Sequence, residues 1–225
     1  MALSVQIAIY VIAIPLQCLI LNVMRAGAWR SYPFVFLYVL VDLLTNLLEM
    51  GPNLAQSVGY GVGLRQWSML YWVDEQIIQA TLFLLVISLI YRATLDLRPR
   101  RTLVAGLIFG SILVASLSAL AHYDPDLTLG KWMTRWTRDM NFCAAILDLG
   151  LWAILLRARK KDYRLLMIAG ALGLQFTAGA VGQALRDLSP AVVGFTSYLI
   201  VCANLGCLYI WWQTFRVPAR RAVPY

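Results

Sequence analysis

The sequence predicts an all-α polytopic membrane protein: one bundle of seven transmembrane helices, with the N-terminus outside and the C-terminus in the cytoplasm. Three observations carry that prediction. Of 225 residues, 61% are hydrophobic and only 13% charged, where a soluble domain carries about 25% charged residues. The apolar residues gather into seven runs, each near the roughly 20 residues a helix needs to cross about 30 Å of hydrocarbon. Lysine and arginine, finally, fall lopsidedly on the connections between the runs, as they do where short loops of one side stay in the cytoplasm. No stretch outside the runs is long enough to bury a core of its own, so residues 1–225 are expected to form one membrane domain without a soluble catalytic module.

The first run, 3–24, has no charge and holds Pro15, which a lipid-embedded helix tolerates as a kink. A second, 32–50, carries Asp42 and Glu49 and is expected to stop at the breaker pair Gly51 and Pro52. The third, 67–91, starts near Asp74 and Glu75, and the fourth, 102–121, is uncharged. After a turn at Asp124, Pro125 and Asp126, the fifth run is expected over 139–156, with Asp148 at its middle. The sixth covers 165–185. The seventh covers 188–215, with Ser189 and Pro190 suited to cap and first turn.

Fourteen of the nineteen basic residues lie on the first, third and fifth loops and the C-terminal tail: Arg25, Arg30; Arg92, Arg98, Arg100, Arg101; Arg157, Arg159, Lys160, Lys161, Arg164; Arg216, Arg220 and Arg221. The other side holds Arg65, Lys131, Arg135, Arg138 and Arg186. The richer side is read as cytoplasmic, which with seven crossings puts the N-terminus outside. The same asymmetry accounts for the net charge of +8 without a nucleic-acid partner, and the partner implied throughout is the lipid bilayer of a bacterial inner membrane. Cys18, Cys143, Cys202 and Cys207 all lie in apolar runs and form no CxxC pattern. They are expected to be reduced packing residues. The first run lacks a basic leader before it and reads as a retained span rather than a cleaved signal.

Chemistry is sought in polar residues at membrane depth, because a carboxylate there costs several kcal/mol and faces the bundle interior. Asp42, Thr45, Asn46 and Glu49 are three or four residues apart and share a helical face. On the third run Asp74, Thr81 and Ser88 form one stripe, with Glu75 and Gln79 beside it. Asn141 and Asp148 nearly superpose on the fifth; Gln175, Gly179, Gly182 and Arg186 line the sixth; Ser197 and Asn204 line the seventh. With Arg138 added, these faces predict one acidic cavity that opens outward and has Asp42 and Asp148 near its midplane. Its alternative reading is structural: Glu49 or Glu75 pairs with Arg138 or Arg186, and the charges only fix helix packing. Gly106 and Gly110, a GxxxG on the fourth run, and the glycines of the sixth point to close helix packing.

Absences narrow the function. The sole histidine, His122, excludes a bis-histidine haem and a three-histidine zinc hydrolase within this chain. Lys131, Lys160 and Lys161 all fall in loops, so no mid-membrane lysine is present for retinal. GxSxG, HExxH and phosphate-loop motifs do not occur, and no GxGD context surrounds Asp42 or Asp148. No cofactor and no enzymatic activity are expected.

The stretch from Tyr71 and Trp72 through Asp74 and Glu75 to Val86, Ile87, Ser88, Leu89, Ile90, Tyr91, Arg92 and Pro99 resembles an uncharacterised family of small seven-helix bacterial membrane proteins. The likeness implies a fold and no activity. Helix count and orientation are also similar to those of SWEET and PQ-loop carriers; Pro15, Leu16 and Gln17 resemble their proline–glutamine motif, of which the fifth run has no second copy. The third run ends Tyr91, Arg92 and then Pro99, Arg100, Arg101, and the seventh ends Phe215, Arg216 and then Pro218, Arg220, Arg221. Either a three-plus-one-plus-three repeat or charge asymmetry alone accounts for that match. The function expected is binding or translocation of a small cation or polar solute; the alternatives are an accessory subunit associating with other membrane subunits or with copies of itself, and a sensor signalling to a cytoplasmic partner.

Overall fold

A computed structural model describes residues 3–57, 64–94, 100–121, 129–157, 162–188 and 193–216. Helix accounts for nearly all of them, and no strand occurs among the described residues. In chain order the elements are α1 (Leu3–Val23), a π-helical turn (Met24–Ala28), α2 (Trp29–Ser31), α3 (Pro33–Ser57), α4 (Leu64–Ala93), α5 (Arg100–Ala121), α6 (Leu129–Arg157), α7 (Tyr163–Leu188) and α8 (Val193–Arg216). Six segments are long and apolar enough to cross a membrane: Ile9–Ser31, Pro33–Gly51, Val73–Ala93, Arg135–Arg157, Tyr163–Arg186 and Gly194–Arg216. The fourth expected run is helical as α5, whose described apolar stretch, Ile108–Ser118, is shorter than a crossing.

Several boundaries differ from the expected ones. The first loop is largely absent, because the chain continues helically from α1 through the π turn and α2 to Ser31 and breaks at Tyr32. Gly27, at φ 134°, supplies the bend inside that turn, a conformation available to glycine at little cost. Gly51 and Pro52 do not stop α3, which continues to Ser57; a single proline removes one backbone hydrogen bond and can be absorbed near a helix end. α6 begins at Leu129, not near Asp139, so Lys131, Arg135 and Arg138 belong to a helix and not to a loop. The turn at Asp124 to Asp126 and the Ser189–Pro190 cap lie outside the described residues.

Six helices close into a ring. α1 packs on α3 and α8, α3 on α4, α4 on α6, α6 on α7, and α7 on α8, with α4 also reaching α7 across the interior. α5 stands outside the ring against α4 and α6. That placement explains a second correction: a Cβ built on Gly106 or Gly110 would meet nothing within 4 Å, so the GxxxG of α5 makes no close helix contact. The glycines of α7 do, since a Cβ on Gly179 would lie 3.2 Å from Asn141 and one on Gly182 2.7 Å from Ile200.

The buried core joins α1, α3, α4, α6, α7 and α8 through Ile20, Tyr38, Leu85, Leu151, Phe176 and Trp211. Trp211 holds three helices together: its Nε1 donates to the Ile168 carbonyl at 3.3 Å, and its ring meets Tyr38 edge-on at 5.6 Å. Large apolar residues also cover the outside, among them Leu48, Leu120, Ile146 and Leu149, an arrangement suited to a lipid solvent and unfavourable in water. All four cysteines are free; Cys207 is buried, Cys143 half-buried, and Cys18 and Cys202 exposed.

One end of the ring gathers cations and aromatics. Arg92 at the end of α4 donates to the Ser31 carbonyl and lies over the Tyr32 ring at 4.1 Å, while Tyr32 meets Phe215 of α8 edge-on at 5.7 Å. There Asp162 caps α7, its Oδ1 accepting from the backbone N–H groups of Arg164 and Leu165 at 3.1 Å each.

Candidate functional site

The polar face of α3 turns inward as its spacing requires: Asp42 and Thr45 are buried and Asn46 and Glu49 half-buried, whereas Leu44, Leu47 and Leu48 face out. Antiparallel packing then fixes which partners meet. Gln17 of α1 donates from Nε2 to Asp42 Oδ2 at 2.6 Å, and about two helical turns along the same pair of helices, the Tyr10 hydroxyl donates to Glu49 Oε2 at 3.3 Å. On the other side Thr45 donates to Asp74 Oδ1 of α4 at 2.7 Å. Glu75 and Gln79 extend the cluster along α4, and Asp74 acts electrostatically on Asp42, Glu49 and Glu75. Four carboxyl groups thus crowd the α1–α3–α4 interface.

Their hydrogen-bond partners are neutral. Neither Glu49 nor Glu75 forms an ion pair among the described residues. Arg186, within electrostatic reach of Glu75, directs its Nε to Thr196 at 3.2 Å and an Nη to Ser197 at 2.7 Å on α8. Arg138 pairs at 3.2 Å with its neighbour Asp139, which also accepts from Ser118 of α5 at 2.8 Å. The pairing of Glu49 or Glu75 with these arginines is therefore not what the structure forms. Two buried amide groups in the cluster are left over: Gln17, 0% exposed, has no partner for Oε1 among the described residues, and Gln79, 5% exposed, has none for Nε2. A buried polar atom without a partner is costly.

The remaining expected lining residues separate into other places. Gln175 donates to the Tyr38 hydroxyl at 2.8 Å in the middle of the ring, next to buried Cys207, which lies within electrostatic range of both Asp42 and Asp148. Asn204, half-buried on α8, leaves Oδ1 without a partner among the described residues. Asn141 packs against Gly179, and Asp148 against Gly173, both between α6 and α7. The structure thus brings Asp42, Glu49, Asp74 and Glu75 together, leaves Asn46 and Gln79 on the same two helices, and sets Asn141 and Asp148 on a different helix pair. Gln17, the closest partner of Asp42, is missing from the expected lining; an amide in the middle of an apolar run is the signal for it. Tyr10, the partner of Glu49, gave no such signal, being amphipathic and at home in any membrane helix.

No group of three or more His, Cys, Asp or Glu side chains placed to hold a metal ion occurs among the described residues. No family model matches the chain, and neither a curated protein nor a solved structure matches it.

Proposed function

We propose that the protein is a multi-pass membrane protein of the bacterial inner membrane, crossing seven times with its N-terminus outside, that binds or moves a small cation or polar solute at the acids of α3 and α4. The observation that carries this reading is the chemistry of their partners: Tyr10, Gln17 and Thr45 are hydrogen-bond donors without charge. Carboxylates placed only to fix packing would be matched by guanidinium or ammonium groups, since an uncompensated charge at membrane depth is unfavourable. Here compensation is left to a ligand. Asp42 would form the inner limit of the site, with Glu49, Asp74 and Glu75 nearer the end remote from the Arg92 cluster.

The test is uptake and binding of a panel of monovalent cations, organic cations and neutral polar solutes by proteoliposomes of the purified chain. Asp42→Asn should reduce the signal most, by about tenfold, the loss of one charge-assisted contact, and Glu49→Gln should reduce it less. If no solute gives a signal while a stoichiometric partner co-purifies and is lost on Asp42→Asn, the protein is an accessory subunit and the solute reading is wrong.

A further inference from the structure

A second site lies between α6 and α7. A cavity of about 400 Å³ opens there at the side of the ring, with Asp148 on its wall. Its lips are Phe142, Ile146 and Leu149, all exposed on the outer surface. Glycines make its depth. A Cβ on Gly170 would stand 3.0 Å from the Trp152 ring, and one on Gly173 would stand 2.7 Å from Asp148 Oδ2, so α7 is bare of side chains where Trp152 and Asp148 reach it. Asp148 is 2% exposed, and its Oδ1 has no hydrogen-bond partner among the described residues.

An acyl chain would fill the apolar walls of such a groove but would leave that oxygen unmet. An occupant that satisfies both needs an apolar body and a cationic or donor head. An ammonium meets the carboxylate with a charge-assisted bond, and the rings of Trp152 and Phe142 line the same groove. Thr177, at the same groove, offers a hydroxyl acceptor for a second N–H. We propose that the α6–α7 groove binds a lipophilic amine that enters sideways from the bilayer, its ammonium on Asp148 and its apolar body against Trp152 and Phe142. The inference rests on the helices being immersed in lipid and is independent of the acids on α3 and α4.

The test is saturable binding of radiolabelled 4-phenylbutylamine to the full chain in phosphatidylcholine nanodiscs, with 4-phenylbutanol as the uncharged probe of the same shape. The amine should bind one per chain and at least about tenfold more tightly than the alcohol, the margin of a charge-assisted over a neutral contact. Asp148→Asn should remove that margin and leave alcohol binding in place, whereas an amine preference lost only on Asp42→Asn would belong to the proposed cation site. Should Asp148→Asn fail to fold, Ile146→Trp keeps the carboxylate and narrows the mouth, and it should abolish binding of both probes. Equal affinity for amine and alcohol, an amine preference that survives Asp148→Asn, or amine binding unaffected by Ile146→Trp would each overturn the proposal.

Discussion

Asp42 and Gln17 illustrate how a buried polar pair is held in a bundle whose surroundings offer it no water. Each is destabilising alone, because removal of one partner leaves the other desolvated and unbonded, whereas removal of both restores a uniformly apolar contact. Gln17→Leu and Asp42→Leu should therefore each lower the thermal stability of the detergent-solubilised protein, by about 1 kcal/mol for an interhelical hydrogen bond in a membrane setting. The double variant should be more stable than the sum of the two losses predicts, and strict additivity in a double-mutant cycle would show that the 2.6 Å contact carries no coupling. At this scale the sequence was half legible. Spacing alone turned Asp42, Thr45 and Glu49 inward, because period and face are local properties of one helix. Which donor each acid meets depends on register between helices, and nothing local encodes that; Asp148, on the expected wall of the central cavity, meets Gly173 on its own side of the ring instead.

Elements were legible where hydropathy and helicity coincide and misread where they part. The expected start of the fifth span near Asp139 marks where charge leaves hydrocarbon, but α6 begins at Leu129 because Lys131 and Arg135 are good helix formers in any solvent that wets them. Likewise Gly51 and Pro52 mark the end of the apolar run of α3, not the end of its helix. The Asp162 cap at the start of α7 should cost about 1 kcal/mol on Asp162→Ala, read as a lowered unfolding midpoint in detergent, while Asp162→Asn should retain most of it. On α5, Gly106→Ala and Gly110→Ala should leave stability unchanged or raise it by up to about 1 kcal/mol through helix propensity, since each added Cβ meets open space. A marked loss of stability at either position would mean that α5 packs closely on a surface other than α4 and α6.

For the molecule as a whole, the ring and its outlier bear on how many times the chain crosses. α1, α3 and α4 make three successive sides of the ring and α6, α7 and α8 the other three, closed where α4 meets α6 and where α8 meets α1. The position of α5 follows from its two ends. It starts at Arg100, a few residues past the end of α4, where Arg92 reaches Ser31. Near its other end Ser118 donates to Asp139, about ten residues into α6, while the far end of α6 leads back to Asp162 and the cap of α7. α5, with 22 residues against 30 for α4 and 29 for α6, runs between them in the return direction, and the proposed seven-crossing arrangement has it cross with them. A topology reporter fused after Arg221 should accordingly read as cytoplasmic and one inserted at 124–128 as periplasmic, with the fourteen basic residues on the cytoplasmic face. Both reporters on one side would leave an even number of crossings over α6, α7 and α8 and would refute the seven-crossing arrangement.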